Sequence, residues 1–418
     1  MHMNSFFTAG NPNGWLRRFT FRFTAAYLIL FNLPFPVGLN KWADRTYIKL
    51  WQAIVPWVGE HLLQMGRISL PDFINSDSMG GWVRVWCCLV LSIVVALVWV
   101  LFDPQRLHDG RVHQLVSVYV RYVLAAAMLS YGMAKVVGMQ FEFPHVSQLQ
   151  MTYAESSPQM LLWTFMGYGT AYSVLAGVAE LGGGILLLFR RTTTLGALVV
   201  AAVMTNIVTL NFSYHVGVKL YSIHLLLFTI FLFGPDLKRL ADVFVFNRPV
   251  AAVPLARVWP SGWMATGALV VKVLIVGWIF YNESAPRLQF ALRQYNFAKP
   301  EMYGIYDVET FTRDGQVVVP LLTDASRWRR IEIDADGDGW VRHMDNTYFF
   351  GFSSKIDPTT SKLTMSAGGA AIVMAYTREA PNRLRLVGKF DGAEVSMLLR
   401  RVDERSFRLL NSKFRWAR

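Results

Sequence analysis

Seven apolar stretches, each close to the ~20 residues a helix needs to cross a bilayer, occupy much of the first 281 positions of this 418-residue chain. They run approximately over residues 19–39, 82–102, 115–138, 160–189, 194–211, 217–235 and 263–281. Hydrocarbon offers no partners to backbone N–H and C=O groups, so these stretches are predicted to be helices. The first is the least apolar, because Arg22 lies within it and Pro34 and Pro36 interrupt its end. Arg17 and Arg18 flank it and no small-residue cleavage site follows, which predicts an uncleaved anchor rather than a secretory signal. Segment 47–64 (YIKLWQAIVPWVGEHLLQ) mixes apolar residues with charges and two Trp. It reads as an interfacial helix on the outer face, with a short re-entrant piece as the alternative.

Hydrophobic residues make up 53% of the chain and charged residues 17%, against roughly 45–50% and about 25% for soluble domains. That excludes a disordered chain, a coiled coil, a collagen-like repeat and a small disulfide scaffold. The net charge of +13 is uneven. Residues 301–418 carry 18 basic and 16 acidic side chains, leaving 23 basic against 12 acidic over the first 300. No basic stripe interleaved with exposed aromatics supports nucleic-acid binding. The excess sits instead between the apolar stretches: Arg17, Arg18 and Arg22; Arg106 and Arg111; Arg190 and Arg191; Lys238, Arg239, Arg248 and Arg257. Loop 139–158 has no Lys or Arg, although loop 40–81 carries Lys41, Arg45, Lys49 and Arg67. With seven alternating crossings, the basic loops share one face, which the positive-inside bias assigns to the cytoplasm. The N-terminus is then inside, and everything after residue 282 is outside.

From about residue 303 the apolar period changes to two. WRRIEID (328–334), WVRHM (340–344), TYFFGFS (347–353), KLTMS (362–366), AAIVMAY (370–376), NRLRLVGKF (382–390) and EVSMLLRRV (394–402) read as strands separated by turn signals. The predicted fold class is therefore a polytopic α-helical membrane bundle followed by a small antiparallel β-barrel or sandwich. Its parts are 1–110 with two spans and the interfacial helix, 111–240 with four spans, 241–300 with a linker and the seventh span, and 301–418 with the strands. Cys87 and Cys88 are adjacent in an apolar run, and vicinal disulfides are strained, so both are predicted to pack as apolar side chains.

Spans three to six contain YGMAKV (131–136), GVAELGGGILLLFRRTTTLGALV (177–199), MTNIVTLNF (204–212) and VKLYSIHLLL (218–227). Over about residues 115–240 the chain resembles the DoxX-like family of bacterial membrane proteins. Its four-helix unit is marked by a Gly-Xaa-Ala-Lys near the end of the first helix and a Glu-Xaa-Gly-Gly in the second. The resemblance implies a bacterial inner (plasma) membrane location. Some members of the wider family resemble subunits of thiosulfate:quinone oxidoreductases, so it also implies a quinone-linked role.

Ionisable side chains within hydrocarbon are costly, roughly 2.5–3.5 kcal/mol each on insertion scales, and each is a candidate site residue. Lys135 lies about one turn from the end of span three and Glu180 near the middle of span four. Ser173, Ala176, Gly177, Glu180, Gly183 and Gly184 share one small-residue helix face, so Glu180 is predicted to point into the bundle. Span five adds Asn206 and Asn211, the next turn Tyr214, His215 and Lys219, and span six His224. Lys135, Asn206, His215 and His224 are predicted to surround a polar pocket with Glu180 at its floor. Gln140, Glu142, His145 and Glu155 of loop 139–158 would form the rim. In one reading these residues are an ion pair and hydrogen bonds holding helices together; in the other they contact a quinone carbonyl or another polar head group. Lys272, near the middle of span seven, is predicted to snorkel toward the cytoplasm.

Asp334, Asp336, Asp338, Gly339 and Asp345 fit the spacing of a calcium loop, but strands flank them, and an Asp/Gly-rich hairpin turn explains the same residues. No nucleophile elbow, nucleotide-binding loop or Cys/His metal spacing is present. The reading that results is a membrane-embedded accessory or binding subunit, with quinone as candidate cofactor and a redox or envelope protein as candidate partner. Its alternatives are a scaffold or carrier whose outward β domain binds an envelope lipid or protein, or a transporter.

Overall fold

The computed structural model describes residues 14–102, 109–252, 262–295 and 299–411. Arg106 and Arg257, which enter the charge argument above, lie outside them. The described residues group into two compact units: one runs to Phe141 and resumes over Pro158–Ala291, and the other joins Glu142–Ser157 to Leu292 onward.

The first unit is helical. Its elements are α1 (Gly14–Asn32), α2 (Lys41–His61), α3 (Met79–Phe102), α4 (Asp109–Val136), α5 (Pro158–Tyr168), α6 (Thr170–Leu187), α7 (Thr193–Ser213), α8 (Lys219–Phe233), α9 (Leu237–Phe244), α10 (Gly262–Ile279) and the beginning of α11 (Ala285–Tyr295). Among the described residues six helical stretches are long and apolar enough to cross a membrane: α3, α4, α6, α7, α8 running into α9, and α10 running into α11. Leu91, Val94, Val98 and Leu101 of α3, like Leu269, Val273 and Leu274 of α10, are exposed and apolar, the surface that hydrocarbon requires. This is one crossing fewer than the seven apolar stretches predict, because α1 carries Arg17, Arg18 and Arg22. Yet α1 packs along α3 with Arg22 fully buried. Arg22 Nη1 donates to the Trp99 carbonyl at 2.9 Å, and its guanidinium lies 5.1 Å from the Trp99 ring centroid. Arg84 of α3 is held in the same manner, donating to Asn75 Oδ1 (2.6 Å) and to the Phe31 carbonyl (2.8 Å). Cys87 and Cys88 are free and buried.

The apolar run 160–189 is not one helix. It breaks at Gly169, leaving α5 and α6 as separate elements. Ser173 Oγ donates to the Met166 carbonyl at 2.5 Å, meeting an acceptor that the break exposes. At about 16 Å, α5 is too short to cross a bilayer.

The second unit is a closed barrel. Strands β1 (Gly304–Arg313), β2 (Gln316–Val317), β3 (Trp328–Ile333), β4 (Asp338–His343), β5 (Tyr348–Asp357), β6 (Lys362–Ala367), β7 (Ala370–Ala380), β8 (Arg383–Phe390) and β9 (Ala393–Arg401) form an antiparallel meander. β1 pairs with β3 along one edge and with β9 along the other, so eight strands close the sheet and β2 is a two-residue antiparallel hairpin partner at the end of β1. Closure removes both exposed edges and decides for a barrel over a sandwich. β1 is the strand that the sequence pattern did not single out. Its inward residues Tyr306, Val308 and Phe311 break strict alternation because the register slips between Val308 and Thr310. Trp328, Ile331, Val341, Leu363, Met374, Leu386, Met397 and their neighbours fill the interior. A barrel of this strand number is just wide enough to be packed by its own side chains.

Candidate functional site

The site begins with two glycines. A Cβ added to Gly132 of α4 would lie 2.8 Å from the Gly177 carbonyl oxygen, and one on Gly177 of α6 would lie 2.7 Å from that of Gly132. Only hydrogen fits at this crossing. One turn farther along each helix stand Lys135 and Glu180. Lys135 Nζ lies 2.7 Å from Glu180 Oε1 and 2.9 Å from Oε2, with the two side chains 7% and 1% exposed. The ammonium also sits 5.8 Å from the Tyr131 ring centroid and 6.0 Å from that of Phe141.

This ion pair forms part of the wall of a cavity of about 630 Å3. α4, α6, α7 and α8 enclose it, and α5 contributes Gln159, Leu162, Trp163 and Met166. The lining is predominantly apolar, with Lys135, Glu180, Gln140, Gln159, Asn206, Asn211 and Ser222 as its polar members. Asn211 Nδ2 donates to Ser222 Oγ at 3.0 Å, and Ser222 Oγ donates to the Lys219 carbonyl at 2.9 Å. Gln140 Oε1 is buried with no hydrogen-bond partner, and the Asn206 amide has none among the described residues. An ammonium has three N–H groups, and among the described residues Glu180 is the one acceptor that its hydrogen bonds reach. The cavity therefore offers a charged donor, an unsatisfied acceptor and an unpaired amide within an apolar envelope. Pockets for small organic ligands combine these features.

Other sequence-predicted residues lie elsewhere. His224 does not line the cavity. Two residues on from Ser222, it projects from the other side of α8, because each residue turns the helix by about 100°. It stacks on Phe31 of α1 with ring centroids 3.9 Å apart. Its Nδ1 lies 2.6 Å from the Leu220 carbonyl, which can only accept, so Nδ1 carries the proton and Nε2 accepts from the Tyr27 hydroxyl at 2.7 Å. His215 is exposed, at a positive φ of 54° just beyond α7. Tyr214 packs on the apolar cluster of Phe141, Leu162, Met166 and Val216. Lys219 pairs with Asp77 at 3.2 Å. Lys272 Nζ lies 5.1 Å from the Phe189 ring centroid.

Of the predicted rim, only Gln140 lines the cavity. Glu142, His145 and Glu155 belong to the barrel unit. His145 Nε2 meets Glu142 at 3.1 Å and Nδ1 approaches Asp334 at 3.7 Å, while Glu155 accepts from the Thr152 N–H at 2.7 Å. Asp334 also accepts from the Val146 N–H (2.9 Å) and Ser147 Oγ (3.3 Å). Arg342 Nη2 donates to the Ser147 carbonyl at 3.2 Å, and Arg330 bonds Gln150. Under this cover Glu332 and Arg342, both outward-facing strand positions, are 0% and 1% exposed and joined at 2.7 Å. Burial pushes the Glu332 carboxyl up to about 7 against the pull of Arg342, and its Oε2 has no partner. The remaining calcium-loop carboxylates are engaged locally: Asp336 accepts from the Asp338 N–H and Asp345 from the Thr347 N–H within turns, while Asp338 accepts from Ser353 Oγ across the β4–β5 pair. Among the described residues no group of three or more His, Cys, Asp or Glu side chains is arranged to hold a metal.

The DoxX family model matches residues 117–215. The chain is also 32% identical over 124 residues to the uncharacterised protein YwoB of Bacillus subtilis, a match that spans 30% of this chain and 79% of that relative. The chain belongs to the DoxX family. No solved structure matches it. The DoxX segment contains Lys135, Gln140, Glu180, Asn206 and Asn211, while the barrel and α1–α3 lie outside it. Tyr131, Gln159, Trp163 and Tyr172 also line the DoxX cavity and were missed from sequence. The signal was present in Pro158, a helix-starting residue, and in Gly169, a helix-breaking one, which together mark α5 as its own element.

Proposed function

We propose that the DoxX unit binds a ring-headed isoprenoid lipid of the quinone class and serves as a membrane-embedded accessory subunit in redox chemistry. The observation carrying this reading is the cavity of about 630 Å3, apolar except for the Lys135–Glu180 pair and a few uncharged polar groups. A quinone head presents carbonyl oxygens when oxidised and hydroxyls when reduced. The Lys135 ammonium suits the first, and Gln140 Oε1 and the Asn206 amide suit the second. Trp163, Tyr172 and Tyr131 offer ring faces for a flat head group. The chain is a multi-pass membrane protein; its placement in a bacterial inner membrane is supported by the family, and the orientation with the N-terminus cytoplasmic and the barrel outside by the basic loops. The packed barrel interior favours a role for its outer face, toward an envelope or redox protein.

The test is quinone content, measured by mass spectrometry on the full chain after gentle detergent extraction. The double substitution Lys135→Met and Glu180→Leu removes both charges and keeps the volume. It is expected to lower retained quinone by about tenfold, the loss of one charge-assisted hydrogen bond. Unchanged content in a folded double variant would contradict the reading.

A further inference from the structure

The turn between α6 and α7, residues 188–192, gathers positive charge from three elements. Arg190 and Arg191 belong to it, while Arg121 of α4 and Lys272 of α10 reach it from either side. Arg121 Nη1 donates to Thr193 Oγ1 at 3.4 Å, and Lys272 Nζ lies 5.1 Å from the Phe189 ring centroid. Arg190 is close enough to both Arg121 and Lys272 for their charges to repel. Irregular backbone facing lipid is confined to the head-group level of a membrane, so this turn marks that level. Arg121 stands more than three turns into α4 and Lys272 near the middle of α10, yet both cations end at the turn.

These cations lack a counter-charge within the protein. Among the described residues no Asp or Glu pairs with Arg121, Arg191 or Lys272, and Lys272 has no hydrogen-bond acceptor either. Asp236, which accepts from Thr194 beside the turn, is taken up by Arg239 at 2.8 Å. Arg121 is 7% exposed, and its Nε is buried without an acceptor. Arg22 and Arg84 show the contrast, since each donates to a backbone carbonyl; Arg121 meets only the Thr193 hydroxyl and Tyr122. A buried guanidinium without an anion is a cost that an anionic ligand removes. Beside the cations, Ile185 of α6, Leu195 of α7, and Leu269 and Val273 of α10 are exposed and apolar, the surface that acyl chains cover.

We propose that an anionic phospholipid of the surrounding bilayer binds at this turn, its phosphate held at Lys272 and Arg121, with Arg190 and Arg191 adding to the attraction. Its acyl chains lie along α6, α7 and α10. The occupant is a lipid because the cations stand at head-group level among side chains that face hydrocarbon, where basic pockets between helices collect anionic head groups. The proposal stands independently of what occupies the cavity between α4 and α8, and of which leaflet the turn faces.

The experiment places the full chain in nanodiscs of equal phosphatidylglycerol and phosphatidylethanolamine. Both lipids carry a phosphate, but only the first has a net negative charge. Native mass spectrometry then counts the lipids retained when the protein is released, and phosphatidylglycerol is expected to be retained selectively. Lys272→Gln, at a side chain with no hydrogen bond to the protein, is expected to lower that selectivity about fivefold. Lys272→Arg keeps the charge and should keep the selectivity. Arg45→Gln, which removes an exposed charge from α2, should leave it unchanged and so separates a site from diffuse attraction. The proposal is overturned if the two lipids are retained equally, if Lys272→Gln selects as well as the wild type, or if Arg45→Gln lowers the selectivity as much as Lys272→Gln does.

Discussion

Lys135 and Glu180 sit where water cannot replace either partner, so the loss of one strands the other. Lys135→Met or Glu180→Leu alone is expected to destabilise the helical unit by about 3–5 kcal/mol, and the two together by much less. Unfolding in mixed micelles measures this; additive losses would contradict the pairing. Glu332 carries a different prediction. Its carboxyl titrates at about 7 in the folded barrel unit, against an ordinary value of 4.5 when water reaches it. The closed state therefore holds the proton more tightly than an open one. Closure of 142–157 over β3 and β4 gains stability as pH falls from above 7 toward 4.5, changes little further below, and is weakest in mild alkali. Asp334, also raised by burial, acts in the same direction. Exchange protection of the Val146 amide should be greater at pH 5.5 than at pH 8, and Glu332→Gln should remove most of the difference. The first pair was legible in the sequence because charge inside an apolar run is conspicuous. Glu332 and Arg342 were not, because outward-facing strand positions ordinarily meet water and nothing local announces a segment 180 residues away that covers them.

At the scale of elements, the contact of α4 with α6 at Gly132 and Gly177 positions the ion pair. Gly177→Ala is expected to destabilise the unit by about 1–3 kcal/mol through overpacking. A larger Gly177→Leu should separate the helices enough to expose Lys135 to an amine-reactive label, whereas the same change at Gly182, where a Cβ meets open space, should not. The small-residue face of α6 was readable from its spacing, and with it the inward direction of Glu180. The break at Gly169 was masked by unbroken hydropathy, because α5 is as apolar as a membrane span and only Pro158 and Gly169 at its two ends mark it off. β1 escaped notice because a bulge spoils its alternation, although it is the strand that closes the barrel.

At the scale of the whole molecule, sidedness depends on α1. If α1 crosses together with the six more apolar stretches, a cysteine introduced at exposed Trp15 and one at Ser353 label from opposite faces of a sealed vesicle; labelling from the same face would remove α1 from the count. The sequence could not decide this, because Arg22 is expensive in hydrocarbon unless α3 receives it, and that packing belongs to the fold. Nor could it show that Glu142–Ser157, lying between two helices of one unit, is built into the other. Ligand binding by the DoxX unit depends on the cavity that α5 helps to line. Its most direct test is to irradiate native membranes holding the full chain with a photoreactive isoprenoid quinone and map the adducts by peptide mass spectrometry. Adducts are expected on the α4 and α5 peptides bearing Tyr131 and Trp163, suppressed by excess unlabelled quinone; adducts scattered over lipid-facing α3 and α10, indifferent to competitor, would rule the quinone site out.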